Sequence, residues 1–414
     1  MDLQSILSFS PSMKKATRQY TKEHNRILVL KTIFDHPSIS RADIARATSL
    51  TRTTVTDIVA ALLDEGLVTE IGMGESQGGK SPILLSLAEN SRYLLSLDLS
   101  HSEFRGAVIN LRGEIIASVG LPVSGRSGEE ALNLVYQILD QLTEAGYRPL
   151  VGIGVGTPGL VNSSEGVVIR AVNLDWENLP LAKLLQERYG LPVFVLNDSQ
   201  AAAMGEYTYG QGHLSESNLV VINARHGLGA GIILNGRLFQ GDGGGAGEIG
   251  HVVVQEGGSL CRCGNYGCLE TVASVQGIIE KAKGLSLISS NSMGSRMQEE
   301  VSLDVINHAF SAGDPQVKQI VLDSARYMGT AISALVGMLN IQNILISGDM
   351  TRFGEPWLTA VREAVSQHSF SRMVKETQVD VGQLGRDSIL LGASAVLISH
   401  YSLLYRREAT PELI

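Results

Sequence analysis

The sequence predicts an α/β protein in two parts, a winged helix-turn-helix followed by a larger, duplicated α/β body with two lobes. Three observations lead there. Residues 1–90 carry three helix-like patterns and then a glycine-rich hairpin. From about residue 92 the pattern changes to consecutive strands followed by alternating helices and strands, and this succession occurs twice. The chain's 414 residues are enough for two or three domains with sizeable cores.

Within the N-terminal part, residues from about 14 to 35 have Ile27, Leu30 and Phe34 on one helical face, and Pro37 closes the run. Ser40 offers an N-cap to a short second helix, Arg41–Thr48, with Ile44 and Ala45 facing inward. After the Ser49-Leu50 turn, Thr51 caps a third helix whose buried stripe is Val55, Ile58, Val59, Leu62 and Leu63. Arg52, Thr53, Thr54 and Thr56 are the exposed positions at its start, and hydroxyls beside an arginine suit phosphates and base edges. Arg41 and Thr51 join them in the candidate DNA surface. Leu67–Ile71 and Ile83–Leu87 read as strands around the loop GMGESQGGKS, a wing with Lys80 at its base for a phosphate or the minor groove. Taken alone, the helices also fit a protein–protein module.

The body spans 91–414, with lobes at about 91–212 and 213–390 and a C-terminal helix expected to pack back on the first lobe. Tyr93–Leu99, Phe104–Asn110 and Glu114–Val119 read as strands, then a helix over 128–145 and a strand at Val151–Val155. A helix at Pro180–Tyr189 leads to the strand Val193–Asn197. The second set opens with Asn218–Asn223 and Ala230–Leu234, and ends in long helices. A cleft between two such halves is where a ligand usually binds.

Four motifs lie along this body. Gly154-Val155-Gly156-Thr157-Pro158-Gly159 reads as a glycine-rich turn after a strand. In Leu196-Asn197-Asp198-Ser199-Gln200 the carboxylate of Asp198 follows a strand, as a base toward a hydroxyl, as an acceptor for it, or as a helix N-cap. The run GDGGGAGEIGH lets backbone approach a small polyol closely, with Glu248 as a strong acceptor. His251 with Cys261, Cys263 and Cys268 makes a Cys₃His set, the composition of a closed structural zinc site, and uses every cysteine in the chain.

Composition narrows the class. Hydrophobic residues are 44% and charged residues 18%, as in ordinary soluble globular proteins. No run of about 18 apolar residues suggests a membrane span, and the N-terminus lacks the residue order of a signal peptide. A cytoplasmic protein is expected. Clustered cysteines argue against a disulfide framework. Net charge is −9, yet residues 10–60 hold nine Lys/Arg against four acids. A locally basic N-terminus on an acidic chain is the layout of a DNA-binding head on a larger body, although a solvated helical face has the same charges.

GIGVGTPGLV, LNDSQAAAMGE, GAGEIGH and CRCGNYGCLE resemble the signature blocks of the ROK family (repressor, open reading frame, kinase), from Asn25 to the helix GASAVLIS. The resemblance implies an actin/hexokinase-like (ribonuclease H-like) body. It implies that Asn197 and Asp198 meet sugar hydroxyls, Asp198 in the kinase-base position. Glu248, His251 and Glu270 would complete the pocket, with Gly159 close by and His251 touching both zinc and sugar. Gln200 stands where the family commonly has Asn, and a longer amide would change which sugars fit. Members with a helix-turn-helix are sugar-responsive repressors; those without are often sugar kinases.

Family kinases begin the body with Asp-x-Gly-Gly-Thr, where this chain has Asp98-Leu99-Ser100-His101-Ser102. Their second phosphate loop resembles Gly-Thr-Gly-x-Gly, and here the stretch is Arg225-His226-Gly227-Leu228-Gly229. Side chains thus stand where phosphate needs space. Arg225 and His226 suit either an anion or the surface. The expected protein is a non-enzymatic, homo-oligomeric repressor, dimer or dimer of dimers, bound to operator DNA and a sugar effector. The alternatives are an active hexose kinase and a body that binds a protein partner.

Overall fold

The computed structural model describes residues 18–75, 81–210, 218–284, 301–368, 376–400 and 404. They form two compact units. One runs to Arg92 and includes His400 and Leu404; the other spans Tyr93 to Ser399.

The first unit contains α1 (Arg18–Phe34), β1 (Ile39–Ser40), α2 (Arg41–Thr48), α3 (Arg52–Asp64), β2 (Val68–Met73) and β3 (Ile83–Leu87). The caps form as expected: the Ser40 side chain accepts from the Asp43 N–H at 3.2 Å, and that of Thr51 from the Thr54 N–H at 3.2 Å. Between α2 and α3 the chain turns through Ser49 in the left-handed region (φ 57°). Leu30, Ile33, Ile44, Val55, Val59 and Leu62 are fully buried, so the three helices share one core. Ile58, Leu63 and Ala45 are only half-buried. The sheet order is β1-β3-β2. The two-residue β1 has no sequence signal of its own, because its pairing partner β3 lies more than forty residues on. Lys80 lies outside the described residues.

The second unit repeats one topology. Its first sheet comprises β4 (Tyr93–Leu99), β5 (Glu103–Asn110), β6 (Ile115–Pro122), β7 (Leu150–Thr157) and β11 (Val193–Asn197) in the order β11-β7-β4-β5-β6. The antiparallel meander β4–β6 is joined through α4 (Gly128–Glu144) to β7, which runs parallel to β4. A small antiparallel sheet, β8 (Leu160–Asn162), β9 (Val167–Ala171) and β10 (Trp176–Leu179), precedes α5 (Leu181–Tyr189). The second large sheet has β12 (Leu219–Ala224), β13 (Leu228–Leu234), β14 (Arg237–Phe239), β15 (Asn343–Ser347) and β16 (Gln378–Val381) in the order β14-β13-β12-β15-β16. It too is a meander with two parallel strands added beside its first member. Between β14 and β15 lie the cysteine loop, α7 (Glu270–Ala273), α8 (Val275–Gly284), α9 (Leu303–Ser311) and α10 (Pro315–Leu339). α11 (Gly354–His368) precedes β16, and α12 (Ser388–Ser399) follows it.

Two helices exchange partners at the lobe boundary. α6 (Asp198–Thr208) follows the last strand of the first sheet but packs on β12 and β13 of the second. α12 follows the last strand of the second sheet and packs on β4 and β7 of the first, and the two helices pack against each other. β7 continues to Thr157, so Gly154 and Gly156 are strand residues and not the expected turn. A Cβ on Gly154 would stand 1.8 Å from the Ala393 carbonyl oxygen, so only glycine admits α12 at this depth.

Candidate functional site

At the start of α3 the hydroxyls are already engaged. Thr51 and Thr54 bond each other through their Oγ1 atoms at 2.8 Å, and Thr56 donates to the Arg52 carbonyl at 2.8 Å. Thr53 and Arg52 are exposed, and their side chains bond to no described residue. Arg41 is paired with Glu70 of β2 at 3.0 Å. The helix therefore presents Arg52 and Thr53 as its freest polar groups, with Thr51 and Thr54 fixing its first turn.

In the body, β11 delivers Asn197 and Asp198 to the N-terminus of α6. Asn197 Nδ2 donates to the Gly159 carbonyl at 2.9 Å, while its Oδ1 accepts from the Ser199 N–H at 2.9 Å and the Gln200 N–H at 3.4 Å. Its amide thus caps α6 and ties Gly159 to the site. Asp198 Oδ1 accepts from the Ser199 N–H at 2.7 Å, and Oδ2 makes no hydrogen bond to a described residue. A helix N-terminus favours carboxylate, yet burial, and next the charge of Asp98, push the Asp198 pKa up to about 6. Gln200 is buried, donates to the Gly244 carbonyl at 2.8 Å and accepts from Gln240 at 3.3 Å. Its amide anchors the glycine-rich loop and acts on any ligand through that loop.

The loop brings Glu248 and His251 beside Asp198. Gly247 (φ 97°) has no room for a side chain, since a Cβ would meet the Ala230 carbonyl oxygen at 1.9 Å. Its glycine is thus needed to seat the loop on β13. Burial first, then the charges of Asp198 and Glu270, push Glu248 up to about 7. His251 stands between two environments: Nε2 lies 3.7 Å from Glu248 Oε2, and Nδ1 lies 3.6 Å from Cys261 Sγ.

The ligand atoms of His251, Cys261, Cys263 and Cys268 all lie within 4.8 Å of one another, a group that could hold a metal ion. Cys263 and Cys268 sulfurs are 3.6 Å apart, far beyond a disulfide bond. Four ligands around one tetrahedral ion at Zn–S distances of roughly 2.3 Å would place sulfurs about 3.8 Å apart, so the donor set and its spacing fit.

Glu270, on α7, is nearly saturated. Its Oε2 accepts from the Leu228 N–H at 3.0 Å and from Arg262 Nη2 at 2.8 Å, and Oε1 from Arg262 Nε at 2.8 Å. Arg262 also donates to Asn173 of the first lobe at 3.0 Å. Nothing in the sequence singled out Arg262 except its place between two cysteines.

The β4–β5 and β12–β13 turns face each other. Arg225 Nη1 reaches Asp98 Oδ2 at 3.2 Å and Ser100 Oγ at 3.0 Å, and Nη2 reaches the Arg386 carbonyl at 2.9 Å. Ser100 donates to Asp98 Oδ1 at 2.6 Å. Burial raises the pKa of Asp98 despite the opposing charge of Arg225. His101 and His226 stack with centroids 3.9 Å apart and planes 13° apart. Arg225 is therefore neither at the free surface nor open to an anion: it is bonded inside the cleft.

A recognition-type helix on one unit and a two-lobed body with converging carboxylates on the other define a class, the DNA-binding regulators built on a sugar-kinase fold. The ROK family model matches residues 94–400, and a winged helix-turn-helix DNA-binding model matches residues 22–69. The chain belongs to the ROK family. It is 32% identical to the xylose repressor of Caldicellulosiruptor bescii, over 91% of this chain and 96% of that one. A ROK family transcriptional regulator, described as a homologue of the Escherichia coli MLC protein, superposes with a TM-score of 0.80 at 30% identity. That match covers 93% of this chain and 98% of the other. A ROK glucokinase from Streptomyces griseus, solved with glucose and AMPPNP, matches with a TM-score of 0.66 at 27% identity. It covers 73% of this chain, 98% of its own, and so resembles the body.

Proposed function

We propose that the protein is a sugar-responsive transcriptional repressor of carbohydrate genes. Its winged helix grips operator DNA, and a sugar in the body's cleft changes that grip. One observation carries the reading: Asp198, with an oxygen left free, and Glu248 converge beside His251, in a chain that also carries the helix with Arg52 and Thr53 exposed. Two carboxylates on different lobes can each accept a sugar hydroxyl, so a sugar favours the lobe arrangement that lets both do so. Gly159 and Asn197 shape one wall, and Glu270 holds Arg262 and the Leu228 N–H in place. Thr51, Thr54, Thr56 and Arg41 position the helix that Arg52 and Thr53 use for phosphate and base contact.

The metal is zinc in this reading, held by His251, Cys261, Cys263 and Cys268. A closed Cys₃His shell supplies structure, not chemistry. With Nδ1 toward the thiolates, His251 keeps its Nε2–H toward Glu248. The assembly is a homodimer or dimer of dimers, reading a palindromic operator. No described helix is long and apolar enough to cross a membrane, in keeping with a cytoplasmic site of action.

The kinase reading is the competitor, because Asp198 stands where a base toward a sugar hydroxyl would. Against it, the Arg225 side chain and the His101–His226 stack fill the space between the two turns. The deciding experiment measures binding to operator fragments selected from random DNA, with and without a panel of pentoses, hexoses and N-acetylated hexoses. A sugar that shifts operator affinity, with no sugar-dependent ATP consumption, supports the repressor. Indifference to every sugar, or ATP turnover abolished by Asp198→Asn, overturns it.

A further inference from the structure

A cavity of about 700 Å³ lies beside the proposed sugar residues, within the size range of small-molecule sites. His101 and Asn173 of the first lobe and His226, Arg262, Gln276 and Glu280 of the second are among its lining residues. Glu270 borders it, whereas Asp198, Asn197 and Glu248 do not. The cavity is thus distinct from the position of those three residues, and Glu270 borders it.

The wall chemistry selects what fits. Arg262 donates to both carboxylate oxygens of Glu270, so its charge is matched. Glu280 is matched by Lys283 at 2.9 Å and accepts from Gln276 at 2.9 Å. Burial, then His101, then Arg262 bring His226 down to about 4, and burial and Arg262 lower His101, so both rings are neutral near pH 7. Lys281 also lines the cavity, but its ammonium lies over the Tyr327 ring at 5.5 Å. An anion would find Arg262 already paired with Glu270 and Lys281 turned onto an aromatic face. A neutral, hydroxyl-bearing group finds the Asn173 amide nitrogen and the Gln276 carbonyl, whose other ends bond Arg262 and Glu280, and a flat wall in an outer face of the stacked imidazoles, suited to the C–H surface of a sugar ring.

We propose that the effector is a glycoside and not a free monosaccharide, its first ring held by Asp198, Glu248 and His251 and a second, uncharged ring in the cavity bordered by His226 and Gln276. The proposal rests on the sugar-binding reading above and names the ligand class for it. Because the cavity takes residues from both lobes, the second ring reports on lobe closure directly.

The test is calorimetric titration of the full-length, zinc-loaded protein with paired probes: xylose and xylobiose, glucose and cellobiose, N-acetylglucosamine and its β-1,4 dimer. The 6-phosphates of glucose and N-acetylglucosamine form a third arm. In at least one pair the disaccharide binds about tenfold more tightly or better. His226→Ala and Gln276→Ala, with unchanged far-ultraviolet circular dichroism, each remove most of that excess. Equal affinity within every pair, an excess that survives both substitutions, or tightest binding by a 6-phosphate overturns the proposal while leaving the sugar reading intact. If no saccharide of either length binds, the sugar reading falls, and this proposal with it.

Discussion

The two large sheets of the body have the same strand order, and their first turns are equivalent positions in the repeat, yet the turns carry opposite chemistry. In the first lobe the end of β4 and the turn after it present Asp98, Ser100 and His101; in the second the β12–β13 turn presents Arg225 and His226. Because the lobes face each other, duplication has placed an acid opposite a base and an imidazole opposite an imidazole. Away from those turns the lobes diverge. The first ends its sheet at Asn197, just before Asp198, while the second places the cysteine loop and four helices before its fourth strand. A repeated scaffold fixes where two turns meet. What they do there is set by a few residues.

Four experiments press on this difference. The largest effect is expected from Cys268→Ser, since Cys268 is fully buried and belongs to an insertion the first lobe lacks. Metal stoichiometry measured by atomic emission should fall to near zero, with sugar affinity down at least tenfold or about 1.4 kcal/mol, as expected when a ligand-orienting group is lost. Unchanged sugar affinity in a metal-free variant would separate the insertion from the pocket. Next comes Arg225→Ala, which strands Asp98 with its 1% side-chain exposure. Denaturant unfolding should show a loss of about 3 kcal/mol, and adding Asp98→Asn should restore part of it. Additive losses would mean the two turns do not interact.

Asp198→Asn should act in opposite directions on function and stability, removing the sugar response while raising stability at high pH. The folded pKa of Asp198, about 6, lies above its unfolded value. Its stabilising contribution is complete below the unfolded pKa near 4 and is lost as pH rises through about 6. Asparagine loses nothing over that window. The variant should therefore match the wild type at pH 4 and exceed it by about 3 kcal/mol at pH 8 in thermal melts. A gap that does not grow with pH would refute the raised pKa of this carboxylate. The smallest effect is expected in the other unit, where Thr51→Ala removes the cap on α3. About 1 kcal/mol of stability should be lost in that unit's melt, and Arg52→Ala should weaken operator binding by about 1–3 kcal/mol without it.

Local chemistry was legible in the sequence, and long-range pairing was not. Ser40 and Thr51 announce their helices because a cap is a contact across three residues. The Cys₃His set is legible because a metal demands few residue types at close spacing. Arg225 left two readings open because its partner Asp98 lies 127 residues earlier, a separation that leaves no periodic trace. The sheet β8–β10 went unread because three- to five-residue strands carry too little alternation to register. Gly154 was taken for a turn residue, since a glycine that admits a helix looks the same in sequence as one that bends the chain.

His251 has one ring between two neighbours, Glu248 and Cys261. A neutral imidazole has a single lone pair to give, and if Nδ1 gives it to a metal, Nε2 must carry the proton that faces Glu248. If a metal is held there, stripping it would free the tautomer to flip and turn that donor into an acceptor aimed at a carboxylate. A chelator would then blind the cleft without touching it, so the protein's response to carbohydrate would also depend on the cell's trace-metal supply.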